Sequence, residues 1–217
     1  KAAADAFRMA DAELTRLTKV YGGVAATSSA ELSKIRAEVS ATAAEISKGY
    51  GISFKDTIAL AADIAATGKT GNELLSSVKE TSRLAVLGEV DRQDAMKATL
   101  AIQTTFKQNT EQLSESINFL NSVENQTSTS LADLVEAIPK AGPVVQQLGG
   151  DVEDLAFFLT AMKEGGINAS EGANALKSGL ASLINPSEMI CSANAFFVPT
   201  MRISHLSILS LKNVTSK

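Results

Sequence analysis

The chain has very few of the side chains from which most enzyme sites are built. Its 217 residues include one cysteine, one histidine and no tryptophan. Cys191 therefore cannot form an intramolecular disulfide, and His205 cannot supply the several imidazoles found in many zinc hydrolases. A Gly-x-Ser-x-Gly elbow, a phosphate-binding loop, a His-Glu-x-x-His helix and paired-cysteine zinc spacing are also missing. We expect a protein that is not an enzyme, with no catalytic, cofactor-binding or metal-binding residues and no cofactor.

The charge and the lack of long apolar runs argue against a nucleic-acid-binding protein and against a membrane-spanning one. The 20 basic and 24 acidic residues give a formal net charge of -4, which would not attract nucleic acid. No uncharged apolar run reaches the length of about 18 to 20 residues that a membrane helix needs. The N-terminal Lys1-Ala2-Ala3-Ala4-Asp5 lacks the apolar region of a signal peptide, and without a starting Met we expect a fragment of a longer protein. We expect no stable nucleic-acid binding and no small-molecule substrate, and we leave membrane contact open.

What the chain does contain predicts helices. Hydrophobic residues make up 45% of it, and they recur at spacings of three and four, as in the stripe Leu32, Ile35 and Val39. Side chains that satisfy free amides at helix starts precede several stripes: Ser28 with Glu31 three residues on, Ser53, Asp91 and Asp151. The pattern predicts an all-α fold, a multi-helix bundle of about nine short amphipathic helices joined by Gly/Pro turns.

Glycine and proline predict where these helices break. A first helix is expected over residues 3–17, and Gly22-Gly23 should interrupt its pattern. Pro139 should end or bend the helix that begins near Leu131, and Pro143 should open another one that reaches Leu148.

The region around Asp151 holds the residues most open to a functional interpretation. Gly149-Gly150-Asp151 could present amides to an anion, but it is typical of an ordinary turn followed by a cap, which we favour. Glu153, Asp154 and Glu164 could be a glycosidase pair, but we interpret them as caps. We also expect the apolar side chains of the next helix to lie in the core rather than around a ligand: Phe157, Phe158 and Met162.

Three segments are predicted: an N-terminal helical segment over residues 1–50, a helical core domain over residues 51–186 and an atypical tail over residues 187–217. From residue 190 onward the chain has three basic residues and no acidic one, whereas residues 1–189 contain 17 basic and 24 acidic ones. The tail is either a poorly ordered terminus or out-of-frame sequence after a truncation. Cys191 and His205 both lie in it with no acidic residue nearby, so we do not interpret them as nucleophile and base.

Several short motifs occur in a characteristic order between Ser53 and Pro186: Ile64-Ala65-Ala66-Thr67-Gly68, Glu73-Leu74-Leu75, Leu131-Ala132-Asp133-Leu134, Ala141-Gly142-Pro143, Leu148-Gly149-Gly150-Asp151-Val152-Glu153-Asp154, Gly166-Ile167-Asn168-Ala169-Ser170-Glu171-Gly172, Leu176-Lys177 and Leu183-Ile184-Asn185-Pro186. Single motifs are weak, but their order and spacing are specific. The stretch resembles the conserved core of bacteriophage or prophage tail tape-measure proteins, and the resemblance ends at Pro186.

This resemblance implies a structural protein that scaffolds assembly of the tail tube and sets tail length. It implies self-association in several copies and binding to tail tube, tail tip and tail assembly chaperone proteins. The expected location is the lumen of the virion tail, and the bacterial cytoplasm during assembly. Two alternatives stay open: a cell-wall lytic module of a phage tail protein, and a bacterial helical protein-interaction module.

Overall fold

The computed structural model describes residues 2–25 and 28–184. Within these ranges the chain forms nine α-helices and no β-strand, which confirms the predicted all-α bundle. The helices are α1 (Ala2–Ala25), α2 (Ser29–Tyr50), α3 (Phe54–Ala66), α4 (Gly71–Leu87), α5 (Arg92–Thr105), α6 (Thr110–Gln126), α7 (Leu131–Gln147), α8 (Val152–Glu164) and α9 (Ala169–Ile184). The packing described below lies within one compact unit that ends at Leu180.

The predicted caps hold the helix starts. At α2 the Ser28 Oγ accepts a hydrogen bond from the Glu31 amide at 3.4 Å, and a Glu31 carboxylate oxygen accepts one from the Ser28 amide at 3.0 Å. The Asp91 carboxylate accepts from the Gln93 amide at 2.7 Å. These side chains satisfy amides that have no partner within their own helix, which is why the helices begin at these residues.

The helix that begins near Leu131 does not end at Pro139, and the prediction that Pro143 opens a second helix is wrong. Pro139 and Pro143 both lie inside α7, which is one helix rather than two. The two prolines are four residues apart and lie off the stripe that the helix buries, which includes Leu134, Ile138 and Ala141. Each proline removes one backbone donor, but the burial of the opposite face outweighs that loss.

The predicted interruption at Gly22-Gly23 is also wrong, because α1 continues to Ala25. The last turns of α1 are held by a tertiary contact. Tyr21 is buried, and its hydroxyl accepts a hydrogen bond from the Gly71 amide at 3.1 Å. This contact joins the end of α1 to the start of α4 and stabilises a segment that has low helix propensity.

Two hydrophobic clusters make up the core. The N-terminal cluster is formed mainly by α1 to α4 and includes Leu17, Ile46 and Ile58. The C-terminal cluster is formed by α4 to α9 and includes Ile117 and Leu155. Helix α4 contributes to both clusters. The predicted boundary between residues 50 and 51 falls between α2 and α3, which share the N-terminal cluster.

Polar side chains are buried where α4 passes from one cluster to the other. Thr81 and Ser82 lie between Val78 of the N-terminal cluster and Leu84 of the C-terminal one. Thr81 pairs with Thr99 of α5, whereas the Ser82 hydroxyl has no hydrogen-bond partner among the described residues. The two apolar clusters are therefore separated along α4 by a short polar layer.

None of the described helices combines the length and hydrophobicity that crossing a membrane would require.

Candidate functional site

Helix α8 exposes two aromatic side chains. Its buried residues are Val152, Leu155, Ala156 and Leu159, whose spacings of three and one put them on one face of the helix. The residues between them therefore point away from the core. Phe157 is 69% exposed and Phe158 is 40% exposed. The prediction that both lie in the core is wrong, because α8 has more apolar residues than its one buried face can cover.

The two rings contact each other on the surface. Their centroids are 5.9 Å apart with an interplanar angle of 65°, an edge-to-face arrangement. Met162, the third residue of the predicted apolar set, is partly buried and packs against the C-terminal cluster, as expected.

A groove adjoins the Phe158 ring. It has a volume of about 280 Å³ and is lined by side chains from the end of α7, the following turn, α8 and α9, including Leu148, Phe158 and Leu180. Leu148, just after α7, is 51% exposed. We call Leu148, Phe157 and Phe158 the α8 patch. Contiguous exposed apolar side chains of this kind mark interaction sites more often than isolated ones do.

The turn between α7 and α8 holds Leu148 in place. Gly149 has a φ of +87°, and its amide donates to the Gln146 carbonyl at 2.9 Å. The Gly150 amide donates to the Val145 carbonyl at 3.0 Å. Both amides are engaged by α7, so the interpretation of Gly149-Gly150-Asp151 as a turn and cap is confirmed and neither amide is free for an anion.

The carboxylates of α8 lie at opposite ends of the helix. Asp151 and Asp154 form a reciprocal capping box, with the Asp154 amide donating to Asp151 at 2.9 Å and the Asp151 amide donating to Asp154 at 3.2 Å. The cap interpretation is confirmed for Asp154. It is wrong for Glu164, which is the last residue of α8.

The separation along α8 also argues against a glycosidase pair. From Glu153 to Glu164 the helix rises roughly 16 Å, whereas paired glycosidase carboxylates lie about 5 to 9.5 Å apart. Over the described ranges, no cluster of three or more His, Cys, Asp and Glu residues could hold a metal ion. Cys191 and His205 lie outside the described residues.

A family model described as phage-related minor tail protein matches residues 61–197. The match spans more than half of the chain. The chain belongs to the phage-related minor tail protein family. No curated protein and no solved structure matches it.

Membership in the phage-related minor tail protein family makes the chain a structural component of a phage tail and hence of the virion. The matched range includes the α8 patch. It also continues past Pro186, where we expected the resemblance to end, and includes Cys191.

The part of this family member that includes the α8 patch is acidic. Residues 84–184 contain 13 acidic and six basic residues, whereas residues 1–78 contain nine of each. Within residues 84–184, most of the lysines and arginines already contact a carboxylate: Arg92, Lys97, Lys140 and Lys163. Residues 84–184 therefore contain more carboxylates than their basic side chains can pair.

A second groove has a different character. It has a volume of about 380 Å³ and lies between α3, α4 and α5. Arg92 on its wall donates to the Asp56 carbonyl at 2.8 Å, and its guanidinium lies 3.5 Å from the Asp56 carboxylate. Two other polar groups that line this groove, the Arg92 Nε and the Ser82 hydroxyl, are buried and have no hydrogen-bond partner in the described part of the chain.

Proposed function

We propose that the chain is the folded core region of a tail tape-measure protein. The observation that carries the proposal is the family match over residues 61–197, together with the ordered motifs between Ser53 and Pro186. In this proposal the protein is a scaffold rather than an enzyme. It lies in the lumen of the virion tail, and in the bacterial cytoplasm during assembly.

The lengths of the helices support a particular role for this region within the proposed function. A helix rises about 1.5 Å per residue, so a long continuous helix is the simplest way for chain length to set tail length. The longest described helix, α1, has 24 residues, and helices α1 to α8 pack against one another. We therefore assign anchoring and docking to this region and place the length-setting segment elsewhere in the protein.

The proposed partners are other copies of the protein, tail tube and tail tip proteins, and tail assembly chaperones. The α8 patch supports this part of the proposal, because exposed aromatic residues are enriched in protein interfaces. Stable binding of nucleic acid is not part of the proposed function.

In-frame deletions in the phage or prophage that encodes the chain would test the proposal. Removing about 28 residues from a long helical segment outside residues 51–186 should shorten the tail by roughly 40 Å. Removing residues 51–186 should instead abolish tail assembly. Tail lengths are measured by negative-stain electron microscopy, and shortened variants with tails of unchanged length would contradict the proposal.

A separate measurement tests the non-enzymatic part. The purified chain should leave no cleared zone on a peptidoglycan gel. Clearing that Glu153→Gln abolishes would instead favour a cell-wall lytic module.

A further inference from the structure

We infer that the α8 patch receives a basic amphipathic helix of a partner protein. The inference deepens the proposed function and rests on it for the expectation that this partner is a tail component. The binding itself depends only on the surface of the chain.

The exposed face of α8 has a regular order. Glu153, Phe157, Ala161 and Glu164 follow one another at spacings of four, four and three, and all four are exposed. Residues at these spacings lie on one face of a helix. The face therefore presents an acid, an aromatic ring, a small side chain and a second acid, in that order.

The apolar centre of this face suits a helix. Phe157 is the more exposed of the two rings, and the groove beside Phe158 is also lined by Leu148 and Leu180. Two apolar side chains on one face of a partner helix could occupy these places, one in the groove and one against Phe157. Ala161 leaves room for the backbone of the partner helix to approach α8.

The charges at the two ends determine which helix fits. Neither Glu153 nor Glu164 forms an ion pair within the described part of the chain, and Lys163 beside Glu164 is already paired with Asp133. The next basic residue along the chain after Lys163 is Lys177 of α9, which is exposed. A partner helix with a lysine or arginine at each end of its apolar stripe would complement the two glutamates, whereas one with acids there would be repelled.

Binding of two synthetic peptides to the full chain tests the inference. Both are amphipathic helices with the same leucine stripe, and they carry either lysines or glutamates at two positions about eleven residues apart. Fluorescence anisotropy at low salt should show the lysine peptide binding at least about tenfold more tightly than the glutamate peptide. Equal affinities, or no binding of either peptide, would overturn the inference.

Variants separate the two components of the surface. Phe157→Ser should weaken the lysine peptide at least about tenfold, and the double variant Glu153→Lys, Glu164→Lys should reverse the preference between the peptides. The control is Met9→Ser, which changes a 53% exposed apolar residue on α1 and should leave both affinities unchanged. Circular dichroism melts establish that each variant is folded.

One further outcome would show that the patch binds a second copy of the chain and not a partner helix. If light scattering shows a dimer that Phe157→Ser converts to a monomer, and neither peptide binds, the patch is a self-association surface and the inference is wrong. Because these measurements use the isolated chain, their failure is distinct from a failure of the tail-length experiment.

Discussion

The hydroxyl oxygens of Thr81 and Thr99 lie 2.9 Å apart and join α4 to α5 inside the core. Both side chains are buried. The Thr99 hydroxyl is also 3.0 Å from the Met96 carbonyl, which can only accept. A hydroxyl has one proton, so Thr99 donates to Met96 and Thr81 donates to Thr99. Removing Thr99 therefore leaves the Thr81 hydroxyl without an acceptor, whereas removing Thr81 leaves the Thr99 hydroxyl still bonded to Met96.

This asymmetry gives a prediction for valine substitutions. Thr99→Val should lower the free energy of unfolding by about 1 to 3 kcal/mol, because it leaves the buried Thr81 donor without its acceptor. Thr81→Val should cost less, since Thr99 keeps its bond to Met96. The double variant should cost less than the sum of the two, as contacting residues do in a double-mutant cycle. Urea denaturation followed by circular dichroism measures all three. A Thr81→Val cost equal to or larger than that of Thr99→Val would contradict the assigned direction of donation, and additive effects would contradict the pairing itself.

The helix starts could be predicted from the sequence because the groups that cap them are only a few residues apart. Ser28 with Glu31, and Asp151 with Asp154, satisfy amides within the same turn. The path of α7 could not be predicted this way. Pro139 disfavours a helix locally, and only the burial of the opposite face shows that the helix continues.

The aromatic residues of the candidate surface can be singled out from the sequence, but the prediction that they face the core is wrong. Phe157 and Phe158 are the only aromatic residues of α8, yet the helix contains more apolar residues than it can bury. Which stripe faces the core depends on the shape of the neighbouring helices. The Thr81 and Thr99 pair had no local signal either, because the two residues lie on different helices.

Gly150 is required where it stands by close packing. A Cβ at this position would lie 2.7 Å from Val145 Cγ1 and 3.1 Å from the Asp154 carboxylate that accepts from the Asp151 amide. Gly150→Ala should therefore lower the free energy of unfolding by about 1 to 3 kcal/mol.

Gly179 is the matched control for this substitution, since a Cβ there meets nothing within 4 Å and the residue lies inside α9. Gly179→Ala should raise the free energy of unfolding by about 0.4 to 1 kcal/mol. Calorimetric melting of both variants checks the pair of predictions, which fail if both alanines shift the melting temperature in the same direction.

The outward position of Phe157 predicts a small effect on stability. Phe157→Ala should change the free energy of unfolding by no more than about 0.5 kcal/mol, because the ring is mostly in solvent already. Leu159→Ala, two residues later on the buried face, should cost about 2 to 5 kcal/mol. Urea midpoints of the two variants compare them directly. A cost at Phe157 similar to that at Leu159 would mean that the ring is buried.

Lys163 of α8 forms an ion pair with Asp133 in the first turn of α7. Burial raises the pKa of Asp133, but the hydrogen bond from Lys163 and those from Ser130 outweigh it, so this pKa lies below its ordinary value. A carboxylate with a lowered pKa in the folded state stabilises the fold above its unfolded pKa. That contribution is lost as the pH falls through the folded value.

Replacing the lysine should therefore have an effect that depends on pH. Lys163→Met should lower the free energy of unfolding by about 0.5 to 1 kcal/mol at pH 6 to 7, a modest amount because both side chains are partly in solvent. As the pH falls from the ordinary carboxylate pKa through the lower folded pKa of Asp133, this carboxylate becomes protonated and the difference from the parent chain should shrink. The control is Lys97→Met, which removes a more exposed ion pair with Asp94 and should show a smaller effect across the same range. The measurement is urea denaturation between pH 7 and pH 2.5. If the difference in free energy of unfolding between Lys163→Met and the parent chain stays constant over this range, it does not arise from the ion pair with Asp133.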